Sequence, residues 1–469
     1  MNNNLTTYYF LGIGGIGMSA LARYFNAKGF PVMGYDRTRT PLTEQLEREG
    51  IDIHYTALYG RDAQPCVSTE NTIVVYTPAI PQDFEEFQYF KNNGFTMLKR
   101  AQVLGEITRN SKGICIAGTH GKTTTSTMTA HLLYQSKIGC SAFLGGVSKN
   151  YDTNLLAPST PSGGLGGAEF VVIEADEYDR SFHQLTPYMA LITAADADHL
   201  DIYGTKEEFR RSFETFASLV QDGGYLIIKE GLYLDVPCRN ARSCVSTHTY
   251  GMNSGDFHAE NIVIENGEIT FDFVTPNETV QDIQLGVPVL INVENAVGAM
   301  ALASLAGVTP EELRQGMASF KGIKRRFDIQ VKTENLVYID DYAHHPEELK
   351  ASILSIKTLY PNRKVCGIFQ PHLYSRTRDF QKEFGASLSL LDELILLDIY
   401  AARELPIEGI TSDVIFENVT IEHKMQTKKE DVLEIVHNKL QNNELDILVT
   451  FGAGDIDQLV QELKELLKS

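Results

Sequence analysis

Gly118-Thr119-His120-Gly121-Lys122-Thr123-Thr124-Thr125 follows the apolar run Gly113 to Ala117 and precedes an apolar-periodic segment that starts at Lys122. A strand that turns through Gly-Lys-Thr into a helix leaves backbone N–H groups free to cradle phosphates. Lys122 would pair with β and γ oxygens, and the Thr123 hydroxyl would be offered to Mg²⁺. Ile116 stands where the common G-x-x-x-x-G-K-[ST] pattern has its first glycine. A polar loop with an exposed lysine is the competing reading, and it leaves the position between strand and helix unexplained.

A second glycine loop lies earlier. Gly12-Ile13-Gly14-Gly15-Ile16-Gly17 follows the apolar run Tyr8 to Leu11 and fits G-x-G-x-x-G, with Asp36 at the end of the next apolar run. Glycines let the backbone approach a diphosphate, and the helix N-terminus favours its charge. From this block alone the reading is a nicotinamide or flavin dinucleotide site. A tight turn without ligand is the bland alternative.

Carboxylates and cations close other strands. Glu174-Ala175-Asp176-Glu177 ends one, and Asp196-Ala197-Asp198-His199 follows another. Acidic residues at strand ends near a phosphate loop are where Mg²⁺ would be held, although a single carboxylate there is more often a cap. Asp340-Asp341-Tyr342-Ala343-His344-His345-Pro346 and Gln370-Pro371-His372-Leu373-Tyr374-Ser375-Arg376-Thr377-Arg378 follow two later strands. Paired His and Arg suit anion handling, and Arg can grip a carboxylate at two points. One structural and one exposed histidine, with a solvated basic face, is the alternative.

The elements that must carry these groups alternate strand and helix, which argues for α/β architecture with mostly parallel sheets. The 469 residues suggest roughly three domains. The first block holds strands at Tyr8 to Leu11, Pro31 to Tyr35 and Thr72 to Tyr76, with a helix from about Met18. The second has core strands at Phe170 to Glu174 and Met189 to Thr193, and a surface loop at Ala157 to Ala168. It then shifts to β hairpins, with a turn at Asn266-Gly267. The third begins after Lys324-Arg325-Arg326, with strands at Val337 to Ile339, Val365 to Phe369, Leu394 to Leu397 and Ile447 to Phe451.

A formal net charge of −20 without a basic stripe argues against nucleic-acid binding. No apolar run is long enough to span a membrane, and the start lacks the features of a signal peptide, so a cytoplasmic protein is expected. Cys66, Cys115, Cys140, Cys238, Cys244 and Cys366 form no CxxC pair; they read as small buried hydrophobes, not zinc ligands.

Taken together, the chain resembles the Mur ligases, the amide-forming enzymes of peptidoglycan precursor synthesis. The resemblance is carried over essentially the whole chain by Gly12 to Met18, Gly118 to Thr125, Glu174 to Glu177 and Asp198-His199-Leu200-Asp201. It continues through Asn292 and Asn295, Arg325-Arg326-Phe327-Asp328, Asp341 to Pro346, Gln370 to Arg378 and Gly452-Ala453-Gly454-Asp455-Ile456.

The resemblance implies three domains: a Rossmann-like domain at 1–106 for a UDP-sugar, a P-loop ATPase-like α/β domain with added β hairpins at 107–324 for ATP, and a Rossmann-like domain at 325–469 for the amino acid and part of ATP. It is nearest to the branch that joins L-alanine to UDP-N-acetylmuramate through an acyl phosphate. A sister branch that recycles murein tripeptide shares Glu174 to Asp179. A redox enzyme built on the first loop, and a non-catalytic nucleotide-binding scaffold, are the other readings.

By the resemblance, Gly12, Gly14, Gly15, Gly17, Asp36, Thr77 and Arg100 would contact the UDP-sugar. Gly118, Thr119, His120, Gly121, Lys122, Thr123, Thr124, Asn292, Asn295, Arg326 and Asp341 would contact ATP. Tyr342, His344 and Arg376 would place alanine, and Thr123, Glu174 and His199 would hold Mg²⁺, with Mn²⁺ as a substitute. Lys122, His199, Arg326, His344 and Arg376 form the implied catalytic set, in a monomer or weak homodimer.

Overall fold

The structure, a computed structural model, describes residues 6–58, 67–157, 170–196, 200–236, 244–265, 267–402 and 404–468, with Leu200 and Asp201 by backbone alone. His199, Asp198, Asn266, Cys66, Cys238 and most of the loop expected after Ala157 lie outside the described residues. The chain divides into two compact units. The first comprises Met1–Asn261, Phe271–Gly286 and Glu294–Lys321; the second comprises Ile262–Thr270, Val287–Val293 and Gly322–Ser469.

The first unit is built on two sheets. One contains β1 (Thr7–Leu11), β2 (Val32–Tyr35), β3 (Asp52–His54), β4 (Thr72–Tyr76) and β5 (Thr96–Lys99), in the order β3-β2-β1-β4-β5. All its pairings are parallel. The other contains β6 (Lys112–Ala117), β7 (Ser141–Ser148), β8 (Thr153–Leu156), β9 (Phe170–Glu174), β10 (Pro187–Ile192), β11 (Tyr225–Lys229) and β12 (Ser246–Tyr250). Its order is β12-β11-β10-β6-β9-β7-β8, and only β7 and β8 pair antiparallel. A separate three-stranded sheet follows, from β13 (His258–Glu265), β14 (Glu268–Val274) and β15 (Thr279–Gln284).

β6 is buried along its last five residues and β10 along most of its length, as strands covered on both faces must be. A single core cluster runs through Phe10, Leu21, Phe25, Cys115, Phe143 and Phe213, so the first two sheets share an interior.

The second unit has β16 (Asp328–Lys332), β17 (Val337–Asp341), β18 (Val365–Phe369), β19 (Glu393–Leu396), β20 (Lys424–Gln426) and β21 (Ile447–Phe451), ordered β16-β17-β21-β18-β19-β20. β16 is antiparallel to β17 and the rest are parallel. β17, β18 and β21 are buried at every residue. The architecture is therefore α/β with mostly parallel sheets, as the alternation of apolar runs indicates. Cys115, Cys140 and Cys366 are buried and burial pushes their thiols up, but Cys244 is exposed, against the sequence expectation.

Candidate active site

In the first unit, β1 delivers the chain to Gly12, whose φ of +82° suits glycine. Gly12 N and Ile13 N donate to Tyr35 O, which ties the loop to β2. Gly15 caps the helix Ile16–Ala27, which starts two residues before the sequence pattern suggested. Gly14 N donates to Asp36 Oδ2 at 2.8 Å, and Thr38 N to Asp36 Oδ1 at 3.0 Å. Asp36 thus braces the loop, and the Gly14 donor is occupied. A Cβ at Gly12 would lie 3.5 Å from Thr77 Cγ2, and one at Gly17 would lie 2.2 Å from Arg100 Nη1. The structure therefore gathers Gly12, Gly14, Gly15, Gly17, Asp36, Thr77 and Arg100 at one place. Arg100 also pairs with Asp176 Oδ2 at 2.8 Å.

The second loop follows β6. Gly118 has φ +142°, and a Cβ there would sit 2.0 Å from Thr193 Oγ1; Gly121 has φ +78° and caps the helix Lys122–Gln135. Thr119 N donates to Ala194 O at 3.3 Å, and the Thr193 hydroxyl donates to His120 O. Thr123 and Thr124 follow Lys122 in the first turn of that helix, with Thr123 buried. Asn295 reaches the loop, for a Cβ at Gly121 would be 2.8 Å from its Oδ1, and the Thr125 hydroxyl donates to that atom at 3.3 Å.

Lys122 Nζ donates to Gly118 O at 2.5 Å and to Glu177 Oε1 at 2.7 Å. Burial works against its charge, but Glu177, Glu174 and Asp176 outweigh burial and raise its pKa. The lysine stays cationic.

Glu174 closes β9, and its Oε2 is buried without a hydrogen-bond partner. A carboxylate oxygen left so is costly unless something else meets it. A Cβ at Gly145 of β7 would lie 2.0 Å from that oxygen, so the glycine makes room for the carboxylate. Hard oxygen donors near a phosphate loop fit a divalent cation such as Mg²⁺. No cluster of three or more His, Cys, Asp or Glu forms a cage among the described residues, so phosphate oxygens or water would have to complete the shell.

In the second unit, Arg325 and Phe327 have φ of +64° and +45°, which strains the backbone on both sides of Arg326. Arg325 Nη2 donates to Gly452 O at 2.7 Å, and Tyr342 N donates to Arg325 O at 2.7 Å. Both guanidinium groups lie 5.0 Å from the Tyr342 ring centre. Arg326 comes within 3.9 Å of Glu348.

His344 Nδ1 lies 2.9 Å from Tyr342 O, which can only accept, so Nδ1 carries a proton. Burial lowers the His344 pKa; Glu348 opposes that and Arg376 adds to it. A neutral ring leaves Nε2 as an acceptor. Arg376 Nη1 lies 3.4 Å from His372 Nδ1, and the His372 and His344 rings are 6.1 Å apart. Arg326, Tyr342, His344 and Arg376 are thus brought together where β17 and β18 end.

Asp341 is buried, with Ser352 donating to Oδ2 at 2.6 Å and Ala343 N to Oδ1 at 3.3 Å, so its oxygens are engaged within the unit. Asn292 donates to Val287 O at 3.4 Å. A cavity of about 600 Å³, lined by Gln370, Asp398, Tyr400, Lys428, Lys429 and Asp455 among others, opens at the ends of β18 to β21; Tyr342, His344 and Arg376 do not line it.

Sequence reasoning gave no role to Glu177, Arg325, His372 or Glu348. Glu177, Arg325 and His372 stand inside motifs that drew notice, and Glu348 is the third residue after the helix cap His345, where a helix-capping carboxylate belongs.

Fold and site define an α/β protein with two glycine loops, each between a parallel strand and a helix, one of them armed with a lysine. Three family models match: "Mur ligase family, catalytic domain" over residues 7–112, "Mur ligase middle domain" over 116–303, and "Mur ligase, glutamate ligase domain" over 325–454. The chain belongs to the Mur ligase family. It is 56% identical to a UDP-N-acetylmuramate–L-alanine ligase of Parabacteroides distasonis, over 99% of this chain and 98% of that one. Its fold is like that of a UDP-N-acetylmuramate–alanine ligase from Thermotoga maritima, with TM-score 0.79 and 24% identity over 98% and 99% of the two chains. A murein peptide ligase from Psychrobacter arcticus is more distant, with TM-score 0.66 and 23% identity over 98% of each chain.

Proposed function

We propose that this chain joins L-alanine to the carboxylate of UDP-N-acetylmuramate, with ATP split to ADP and phosphate, as a step in peptidoglycan precursor synthesis. The observation that carries this reading is the cationic Lys122 in its glycine loop, beside Glu174, whose Oε2 is buried without a hydrogen-bond partner. It stands in a chain more than half identical, end to end, to a ligase named for that reaction.

The chemistry follows from the acceptor. A carboxylate acylates poorly because oxide would have to leave. Its oxygen attacks the γ-phosphorus, the bond to ADP breaks, and an acyl phosphate forms. The alanine nitrogen then attacks the carbonyl carbon, phosphate leaves, and the amine gives up a proton. Catalysis of such a transfer is positioning and charge neutralisation.

Lys122 neutralises phosphate oxygens, and loop N–H groups between Gly118 and Thr124, apart from that of Thr119, cradle them. Thr123, Glu174 and His199 would hold Mg²⁺ or Mn²⁺, which when bound neutralises phosphate charge. Asn292 and Asn295 contact the nucleotide, with Asp341 ordering the loop that carries Tyr342. Arg326 supplies a cation to the phosphoryl group. Arg376 takes the alanine carboxylate, and His344 Nε2 accepts from its ammonium. Gly12, Gly14, Gly15, Gly17, Asp36, Thr77 and Arg100 hold the UDP-sugar.

The domains we assign are 1–106, 107–324 and 325–469, for UDP-sugar, ATP, and amino acid with part of ATP. Among the described residues no helix is long and apolar enough to cross a membrane; we place the enzyme in the cytoplasm, as a monomer or weak homodimer without nucleic-acid or membrane partners.

The test is phosphate release from ATP with UDP-N-acetylmuramate and Mg²⁺, adding candidate amines singly. Release that requires L-alanine and yields the alanyl sugar nucleotide is the expected result. Release only with the murein tripeptide would transfer the chain to the recycling branch, and none with any amine would sink the ligase reading.

A further inference from the structure

Asn154, on β8, is fully buried, and both ends of its amide are in use. Nδ2 donates to Ile16 O at 2.6 Å and to the Ser19 hydroxyl at 2.8 Å, while Oδ1 accepts from Arg23 Nη1. Arg23 is buried too, and Glu49 grips it at two points, each 2.8 Å. Ile16, Ser19 and Arg23 share one face of the helix that opens at the first glycine loop. That helix is thus bolted to a strand of the other sheet in its unit.

Burying a guanidinium and an amide costs stability unless every group is matched, and apolar side chains could hold a helix to a sheet without that cost. Directional hydrogen bonds add a fixed register, where apolar packing tolerates a slide. The register reaches further. β8 pairs with β7 through Ala142↔Leu156 and Phe143↔Leu155, and β7 pairs with β9 through Ala142↔Val172 and Phe143↔Ile173. Gly145 of β7 then gives way to Glu174 at the end of β9. A cavity of about 180 Å³ lies along this path, and Ile16, Gly17, Arg100, Gly145, Glu174 and Asp176 are among the residues that line it.

We infer that Asn154 is a positioning residue which, with Arg23, fixes the first glycine loop relative to the Glu174 strand and so sets where a ligand held at that loop presents its reacting end. The inference rests on the proposed function, which gives the UDP-sugar to that loop and ATP to the Lys122 loop. Asn154 touches neither substrate. Each site keeps its own binding groups without it, and only their separation changes.

The experiment uses the full chain with Asn154→Ala and the isosteric Asn154→Asp, which keeps an acceptor for Arg23 but cannot donate to Ile16 O. UDP and ADP binding by calorimetry should stay within about twofold of the parent while kcat for alanine ligation falls about 10²-fold, because an ångström of misplacement costs that much. Amide exchange along Ile16 to Arg23 should quicken in both variants. Parental kcat in Asn154→Ala would overturn the inference, since position is then not set here. Loss of UDP binding would also overturn it, because Asn154 would then only hold the loop's own shape. If the alanine variant does not fold, the aspartate variant carries the test on the same criteria. A parent protein that releases no phosphate with L-alanine defeats the functional reading alone. Exchange then decides the strut, faster supporting it and unchanged refuting it.

Discussion

The two glycine loops of the first unit share a plan and differ in charge. Each follows a buried parallel strand, opens on a glycine with positive φ and leads into a helix that is mostly buried. In the first loop Asp36 takes the Gly14 donor, and the loop carries no cation of its own, for Arg100 reaches it at Gly17 from a later helix. In the second, Lys122 sits within the loop and is held by Glu177 and Gly118 O. A shared strand-loop-helix plan therefore does not mean equal work. A loop braced by a carboxylate suits a ligand that is held, and one armed with a lysine suits a phosphate whose charge changes during reaction.

The sharpest way to break this contrast is Lys122→Ala. Removing a charge aimed at the transferring phosphoryl group should lower kcat by about 10²- to 10³-fold, while calorimetric UDP binding stays at its parental value. Loss of UDP binding in that variant would show that the loops do not divide the labour. Gly145→Ala comes next. Its Cβ would lie 2.0 Å from Glu174 Oε2, so the carboxylate must move. Turnover should fall about 10- to 10²-fold, and half-maximal rate should need more Mg²⁺. An unchanged Mg²⁺ titration would remove Glu174 from the cation site.

Much of this contrast could be read in the sequence, because it is local. Gly-Lys-Thr after an apolar run, and Asp36 one strand after G-x-G-x-x-G, are patterns of adjacent residues, and so are the strands that carry them. The partner of Lys122 was not legible. Glu177 is 55 residues away in the chain and becomes its neighbour only because β6 and β9 are paired. Gly145 and Asn154 are harder still. Nothing near them in sequence marks a site, and their meaning comes from side chains on other strands and helices. The antiparallel β7–β8 hairpin that carries both was not foreseen, since β8 is too short to show a period. Asp36 shows the reverse limit: its position was legible, but that it spends its carboxylate on the loop backbone was not.

The smallest expected effect turns the comparison from loops to units. His131, in the helix behind Lys122, is buried, with Tyr151 OH 2.8 Å from Nδ1 and the Ser319 hydroxyl 3.0 Å from Nε2. Burial lowers its pKa from 6.5 to about 4, against a smaller opposing pull from Gly316. Asp340, in β17 of the second unit, is also buried, but burial raises its pKa from 3.8 to about 6, with Arg325 and Thr450 pulling down. The signs are opposite. Between about pH 6.5 and 4 the unfolded chain protonates His131 and the folded chain does not, so acid destabilises the first unit, by about 2 kcal/mol at pH 5 through this residue. Between about pH 6 and 3.8 the folded chain protonates Asp340 before the unfolded chain does, so acid stabilises the second unit, by about 1 kcal/mol at pH 5. Two units need not unfold as one, so a single melting temperature would average the effects away. Amide exchange read by segment, with rates corrected for intrinsic pH dependence, separates them. From pH 7 to 5 protection should fall along the helix Lys122–Gln135 and rise in β17 and β21. His131→Gln should abolish the fall and leave the rise. A fall in both units would mean that burial of Asp340 does not govern its proton, and that the loosely seated Arg325, 3.6 Å away, keeps it ionised.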